Sequence, residues 1–158
     1  MTDPLPDINR GDSPSWEVKD RYREVELQLA IFSHRLSARL GIRPVDLQCF
    51  NLVQRHGSIS IGALAQLLAL RPATTTGIVD RLAEGGWVAR DRDPGDRRTV
   101  LVRALPDRLP ELFTHLAPLG EDLDAALDGL DDEELQVIAR FLDRAAEATR
   151  RRSASLEE

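Results

Sequence analysis

Apolar residues recur at intervals of three and four along most of this chain, and the places where that rhythm breaks divide it into elements. Tyr22, Val25, Leu29, Phe32 and Leu36 form one stripe, which predicts a long helix from about Trp16 to Leu40, ended by Gly41. Pro44 opens a second helix carrying Leu47, Phe50 and Val53, which stops at His56-Gly57. Ser58-Ile59-Ser60 reads as a short edge strand. Ser60 then caps a helix over Ile61–Leu68, with Ile61, Leu64, Leu67 and Leu68 facing inward. Pro72 suits the first position of another helix, whose buried side is Ile78, Val79 and Leu82 and whose end is Gly85-Gly86. The period then changes. Trp87-Val88-Ala89-Arg90 and Thr99-Val100-Leu101-Val102 read as two strands joined by a turn from Asp91 to Arg98, with Asp93-Pro94-Gly95-Asp96 as the hairpin signal. From Leu109 the helical rhythm returns through Leu112, Leu116, Leu119, Leu123, Leu127 and Leu130. Pro118 is expected to kink that helix or remove one of its hydrogen bonds. Asp131 and Glu134 form a capping box for a last helix through Leu135, Ile138, Leu142 and Ala145.

Two closely spaced short helices followed by a hairpin make a winged helix-turn-helix. The expected fold is mainly α with a small β-hairpin wing. Residues 41–105 form the winged helix. Residues 15–40 and 106–150 form a helical dimerisation region. Residues 1–14, rich in proline and aspartate, are expected to be disordered or peripheral, and residues 151–158 a frayed tail. The long helices carry more apolar stripe than a winged helix of this size can cover. Such stripes commonly pack on a second copy of themselves, which predicts a homodimer. An intramolecular bundle that buries the same stripes is the alternative.

The net charge of −6 argues at first against nucleic acid, but its distribution reverses the argument. Residues 71–103 carry seven arginines against five acids, whereas residues 106–149 carry three arginines against twelve acids. A mildly basic face beside an acidic helical region suits a protein that presents one surface to DNA. Lys19 is the only lysine, so the cationic chemistry is nearly all guanidinium, which favours planar contacts to phosphates and bases. No apolar run approaches the roughly 20 residues that span a membrane, and the N-terminus lacks a basic-then-apolar signal pattern. A cytoplasmic protein is expected, and a single cysteine, Cys49, fits a reducing compartment. There is no phosphate-cradling glycine loop, no paired nucleophile and base, and no zinc-protease signature, so an enzyme is not expected.

The stretches TTTGIVDRLAEGGWVAR and DRDPGDRRTVLV resemble the recognition helix and wing of the MarR family, the bacterial regulators named for multiple antibiotic resistance. The resemblance covers almost the whole chain, and the wing, with Asp-x-Arg at Asp96-Arg97-Arg98, is its more specific part. It implies a dimeric transcription factor, usually a repressor, that binds a pseudo-palindromic operator in double-stranded DNA and in many members is released by a small-molecule effector or an oxidant.

Physical reasons stand beside the resemblance. A helix in the major groove needs short polar side chains at its N-terminal end, where phosphates also meet the helix dipole. Thr74 and Thr76 supply hydroxyls there, and Arg81, further along, is expected to reach a phosphate. At the wing tip, the Arg98 guanidinium suits the narrow minor groove, with Asp96 bracing it by a salt bridge and Arg92 and Arg97 clamping the backbone. The chain departs from the family pattern at several positions. Arg71 stands where a Ser-like cap is usual, and either touches DNA or is a tolerated poor cap. Gly77 replaces a position that is often basic; Ala73 and Thr75 also differ from the usual residues. After the wing, VRALPDRL lacks the common entry to the next helix.

Cys49, beside Phe50, reads as a buried, inert thiol. His34, His56 and His115 share no metal-ligand spacing, and neither a metal nor another cofactor is expected. If an effector pocket lies between the dimer base and the winged helix, Trp16, Tyr22, His34 and His115 are its candidates, with ordinary packing as their other role. Two alternatives stay open: a winged helix that serves a protein partner and has no operator, and an activator instead of a repressor.

Overall fold

The computed structural model describes residues 13–96 and 98–156. Six helices, a short 3-10 turn and three strands follow in the order α1 (Pro14–Arg39), α2 (Pro44–His56), β1 (Ile59–Ser60), α3 (Ile61–Leu68), α4 (Pro72–Glu84), β2 (Val88–Arg92), β3 (Val100–Ala104), the turn Pro106–Arg108, α5 (Leu109–Leu127) and α6 (Asp132–Ala154). Most of the expected N-terminal segment lies outside the described residues, but Ser13 already caps α1 and Pro14 opens it. The Ser13 hydroxyl accepts the Trp16 N–H at 3.3 Å, and Pro14 sits at the helix start, where its missing N–H costs nothing.

The core lies in the winged helix. α2 contributes Leu47, Phe50 and Val53, α4 contributes Ile78, Val79 and Leu82, and all of them are buried. Trp87, just before β2, is 1% exposed, and its ring meets Phe50 edge to face at 5.2 Å, a geometry worth about 1 kcal/mol beyond the buried area. Gly85 makes this possible: a Cβ there would stand 2.9 Å from the Trp87 ring. Gly86, with φ of 72°, turns the chain from α4 into the sheet, in a backbone region that side-chain-bearing residues avoid.

The sheet has the order β1-β3-β2, antiparallel throughout. Ile59 pairs with Val102, and the wing ladder runs from Val88–Ala104 to Arg92–Val100. The wing is tighter than the sequence pattern suggests. β2 continues to Arg92 and β3 starts at Val100, which shortens the turn to residues 93–99.

The long helices behave differently from the core. Only Leu36 and Ser37 of α1 are buried, only Leu112 of α5, and no residue of α6. Val25, Leu29, Leu123 and Leu142 are each about half exposed. Within one chain the outer parts of these stripes stay open to solvent. α5 runs through Pro118 without ending. Asp131 and Glu134 close the expected capping box, at 2.9 and 3.0 Å. α6 continues to Ala154, so the tail expected to fray from residue 151 is helical for another turn. Alanines and arginines are good helix formers, and Glu147 pairs with both Arg150 and Arg151 across that turn. No helix among the described residues is long and apolar enough to cross a membrane.

Candidate nucleic-acid interface

The surface that would face DNA is built from the N-terminal half of α4 and the wing. α3 ends with Ala69 in the left-handed conformation (φ 53°, ψ 44°), and the chain reaches α4 two residues later. Within α4, Thr75, Ile78, Val79 and Leu82 face the core at helical spacing. This leaves Ala73 and Thr74 exposed and Thr76 and Gly77 half-buried on the outer face. Thr75 stands at an apolar position, and its hydroxyl is satisfied there by the Arg71 carbonyl at 3.2 Å. The Thr76 hydroxyl likewise donates to the Pro72 carbonyl at 2.9 Å, so it retains lone pairs to offer a partner. Gly77 is not forced by packing, because an added Cβ would meet only Arg81 Nη1, at 3.8 Å.

The start of α4 carries no side-chain cap. Arg71 is extended (φ −68°, ψ 143°) and makes no capping hydrogen bond, and the first turn holds no acid. Backbone N–H groups and the positive end of the helix dipole are left facing outward, an arrangement that suits phosphate. The Arg71 side chain is exposed and makes no ion pair among the described residues.

Arg81 corrects the sequence reading. It does not extend toward a phosphate but folds back onto α2, where Nε donates to Asp46 Oδ2 at 3.1 Å and Nη2 to Oδ1 at 2.6 Å. The Asp46 carboxylate is 3% exposed. A buried carboxylate needs a charged partner, and the Arg81 guanidinium of α4 supplies it in a two-pronged fit. The hydrogen bonds to Asp46 raise the pKa of Arg81 above its ordinary value. Sequence reasoning missed Asp46, although a signal was present. It stands four and seven residues before Phe50 and Val53, on the buried face of α2.

The wing tip is organised by two aspartates. Asp93 Oδ1 accepts the Gly95 N–H at 2.8 Å, and Asp96 Oδ1 accepts the Arg98 N–H at 3.0 Å. Asp96 Oδ2 takes the Thr99 hydroxyl at 3.0 Å. Asp96 therefore braces Arg98 through the main chain and not by the expected salt bridge. The short side chain closes a turn over two residues and is occupied there. The Arg98 side chain is exposed, as is Arg92, while Arg97 lies outside the described residues. Two further pairs were not anticipated. Arg103 Nε donates to Asp91 at 2.6 Å across the wing, and Arg90 on β2 reaches both Asp80 and the Thr76 carbonyl of α4.

The four effector candidates are not gathered into one pocket. Tyr22 packs edge to face on Phe141, His34 is exposed, and Trp16 and His115 are half-buried elsewhere. An apolar cavity of about 410 Å³ lies instead between α1 and α5, lined by Val25, Leu29, Phe32, Leu119 and Leu123, with Glu24 and Arg35 among its polar groups. None of the four candidates lines that cavity. Cys49 is fully buried, and its thiol is pushed up to about 11 by burial and then by the charge of Asp46. Among the described residues no group of His, Cys, Asp and Glu is placed to hold a metal ion.

Comparison with known proteins agrees with this geometry. The MarR family model matches residues 43–100, which span α2 to the start of β3. The chain is 29% identical over 126 residues to a protein of Bacillus subtilis (strain 168) named "Uncharacterized HTH-type transcriptional regulator YcgE", covering 80% of this chain and 82% of that one. It is 28% identical to the HTH-type transcriptional repressor MdtR of the same organism, over 68% of this chain and 70% of that one. Among solved structures, a MarR family protein from Bacillus stearothermophilus aligns with a TM-score of 0.66 at 24% identity, over 85% of this chain and 94% of that one. Wild-type MarR from E. coli in its apo form aligns at 0.58 and 20% identity, over 80% of this chain and 94% of that one. Residues 43–100 thus carry a MarR family domain folded as a winged helix, in a chain that is similar over most of its length to proteins named HTH-type transcriptional regulators.

Proposed function

We propose that the protein is a cytoplasmic homodimeric repressor that reads a pseudo-palindromic operator, with α4 in the major groove and the wing in the adjacent minor groove. The observation that carries this reading is the uncapped start of α4. Arg71, Ala73 and Thr74 are exposed there, and the outward-facing Arg98 of the wing belongs to the same winged helix. The acidic stretch over residues 106–149 keeps that part of the molecule from competing for phosphate. Dimerisation is supported by the apolar residues left exposed on α1, α5 and α6, which a second copy would cover. A symmetric dimer places two recognition helices about 34–36 Å apart, one turn of B-DNA. Repression is supported by the name of one relative, MdtR. An effector that releases the protein seats, in this reading, in the cavity between α1 and α5.

The test is binding to the DNA upstream of the protein's own gene, by fluorescence anisotropy at two salt concentrations against a scrambled competitor. Tight, sequence-specific binding that weakens steeply with salt is expected, because several phosphates are contacted. Weak binding, equal on both duplexes and on genomic fragments, would sink the operator and leave the winged helix to a protein partner.

A further inference from the structure

We infer that Arg90 is a positioning residue, which locks α4 to the wing and so sets the angle at which the two enter DNA. The inference rests on the reading of α4 and the wing as an operator-binding surface. Arg90 sits in mid-ladder on β2, opposite Val102. Its Nη2 lies 2.5 Å from Asp80 Oδ1 and donates to the Thr76 carbonyl at 3.3 Å. Thr76 and Asp80 stand one turn apart on the same side of α4, so one planar guanidinium holds both a side chain and a main-chain oxygen of that helix. A helical carbonyl already accepts the N–H four residues on, and Arg90 takes its second lone pair. Among the described residues this is the only ion pair that joins α4 to the wing; Arg81 pairs with α2, and Arg103 pairs within the wing.

The opposing assignment makes Arg90 a phosphate ligand. Its charge, however, is matched by a carboxylate that is itself half exposed, so the pair offers DNA little net charge. The two assignments also differ in the sign of one effect. If Arg90 positions α4, loss of Asp80 weakens operator binding. If Arg90 binds phosphate, loss of Asp80 frees it and removes a repulsive acid, so binding holds or tightens.

The experiment uses the full chain with Asp80→Asn, Arg90→Gln and the double variant, each shown to be folded by thermal unfolding. Anisotropy is measured on operator and scrambled duplexes across a salt series. The expected result is that each single variant loses roughly tenfold on the operator, while scrambled binding and the salt slope of Asp80→Asn stay unchanged. The double variant should lose no more than either single one, because one link is broken in each. Undiminished operator binding by Asp80→Asn overturns the inference, above all if Arg90→Gln lowers the salt slope by about one. A DNA-free arm separates this failure from that of the operator reading. Amide exchange in the wing and at the end of α4 should quicken in both single variants, and unchanged exchange overturns the link whether or not any duplex is preferred.

Discussion

Arg81 of α4 holds Asp46 of α2 through two hydrogen bonds that span 35 residues of sequence. α4 is thus bolted to the core by a charge pair whose acid is almost wholly enclosed. Removing the guanidinium leaves a carboxylate buried and unpaired. Arg81→Met is expected to destabilise the fold by roughly 3 kcal/mol in urea unfolding with an unchanged m value. Arg81→Met combined with Asp46→Leu should recover part of that loss. A single variant as stable as the wild type would mean the pair does not anchor α4.

Arg71 occupies a capping position that it cannot serve. Arg71→Ser is expected to raise stability by about 1 kcal/mol, because a serine hydroxyl accepts an N–H that is now unsatisfied. It should also weaken DNA binding, because an exposed guanidinium and an open helix end are lost together. Raised stability with unchanged affinity would identify Arg71 as nothing more than a poor cap.

At the wing, Arg98→Ala is expected to lower DNA affinity at least several-fold and to leave thermal stability and oligomeric state unaltered, since its side chain is exposed. Asp96→Ala should weaken binding as well, by releasing the Arg98 N–H and the Thr99 hydroxyl that shape the tip. Unaltered affinity in Arg98→Ala would remove the wing from the interface.

Cys49 should be chemically silent in the folded protein. Its thiol is buried, and its pKa is raised from 9.0 to about 11. At pH 8 a thiol reagent is expected to label it only at the rate of unfolding. The pH dependence follows from the same shift. A raised pKa in the folded state means that the contribution of the neutral thiol is complete below pH 9 and is lost as pH rises from about 9 to 11. Cys49→Ala should remove that component of the alkaline fall in stability. Fast labelling of the native protein at pH 8 would contradict the enclosed thiol.

Much of the fold was legible because its signals are local. The capping box at Asp131 and Glu134, the prolines that open α2 and α4, and the glycines at 41, 57 and 86 act within one turn of the chain, and each stands where the pattern placed it. The winged helix and its outward-facing residues follow from the same periodicities, which sort Thr74 outward and Ile78 inward without knowledge of any partner.

What tertiary structure alone decided is where the charges go. Sequence shows that Arg81 and Arg90 lie in or beside α4 and the wing; it does not show that Asp46 stands opposite one and Asp80 and Thr76 opposite the other. Nor does it show that Asp96 spends its oxygens on the main chain, or that the faces of α1 and α5 that meet leave out His34 and His115. A long flexible guanidinium finds its partner only after the helices have packed, because the choice among distant acids depends on their burial and distance in space. Helical rhythm, caps and turns are energies of neighbouring residues, and the sequence by itself determined them. Ion pairing across elements is an energy of the assembled core, and only the folded chain decided it.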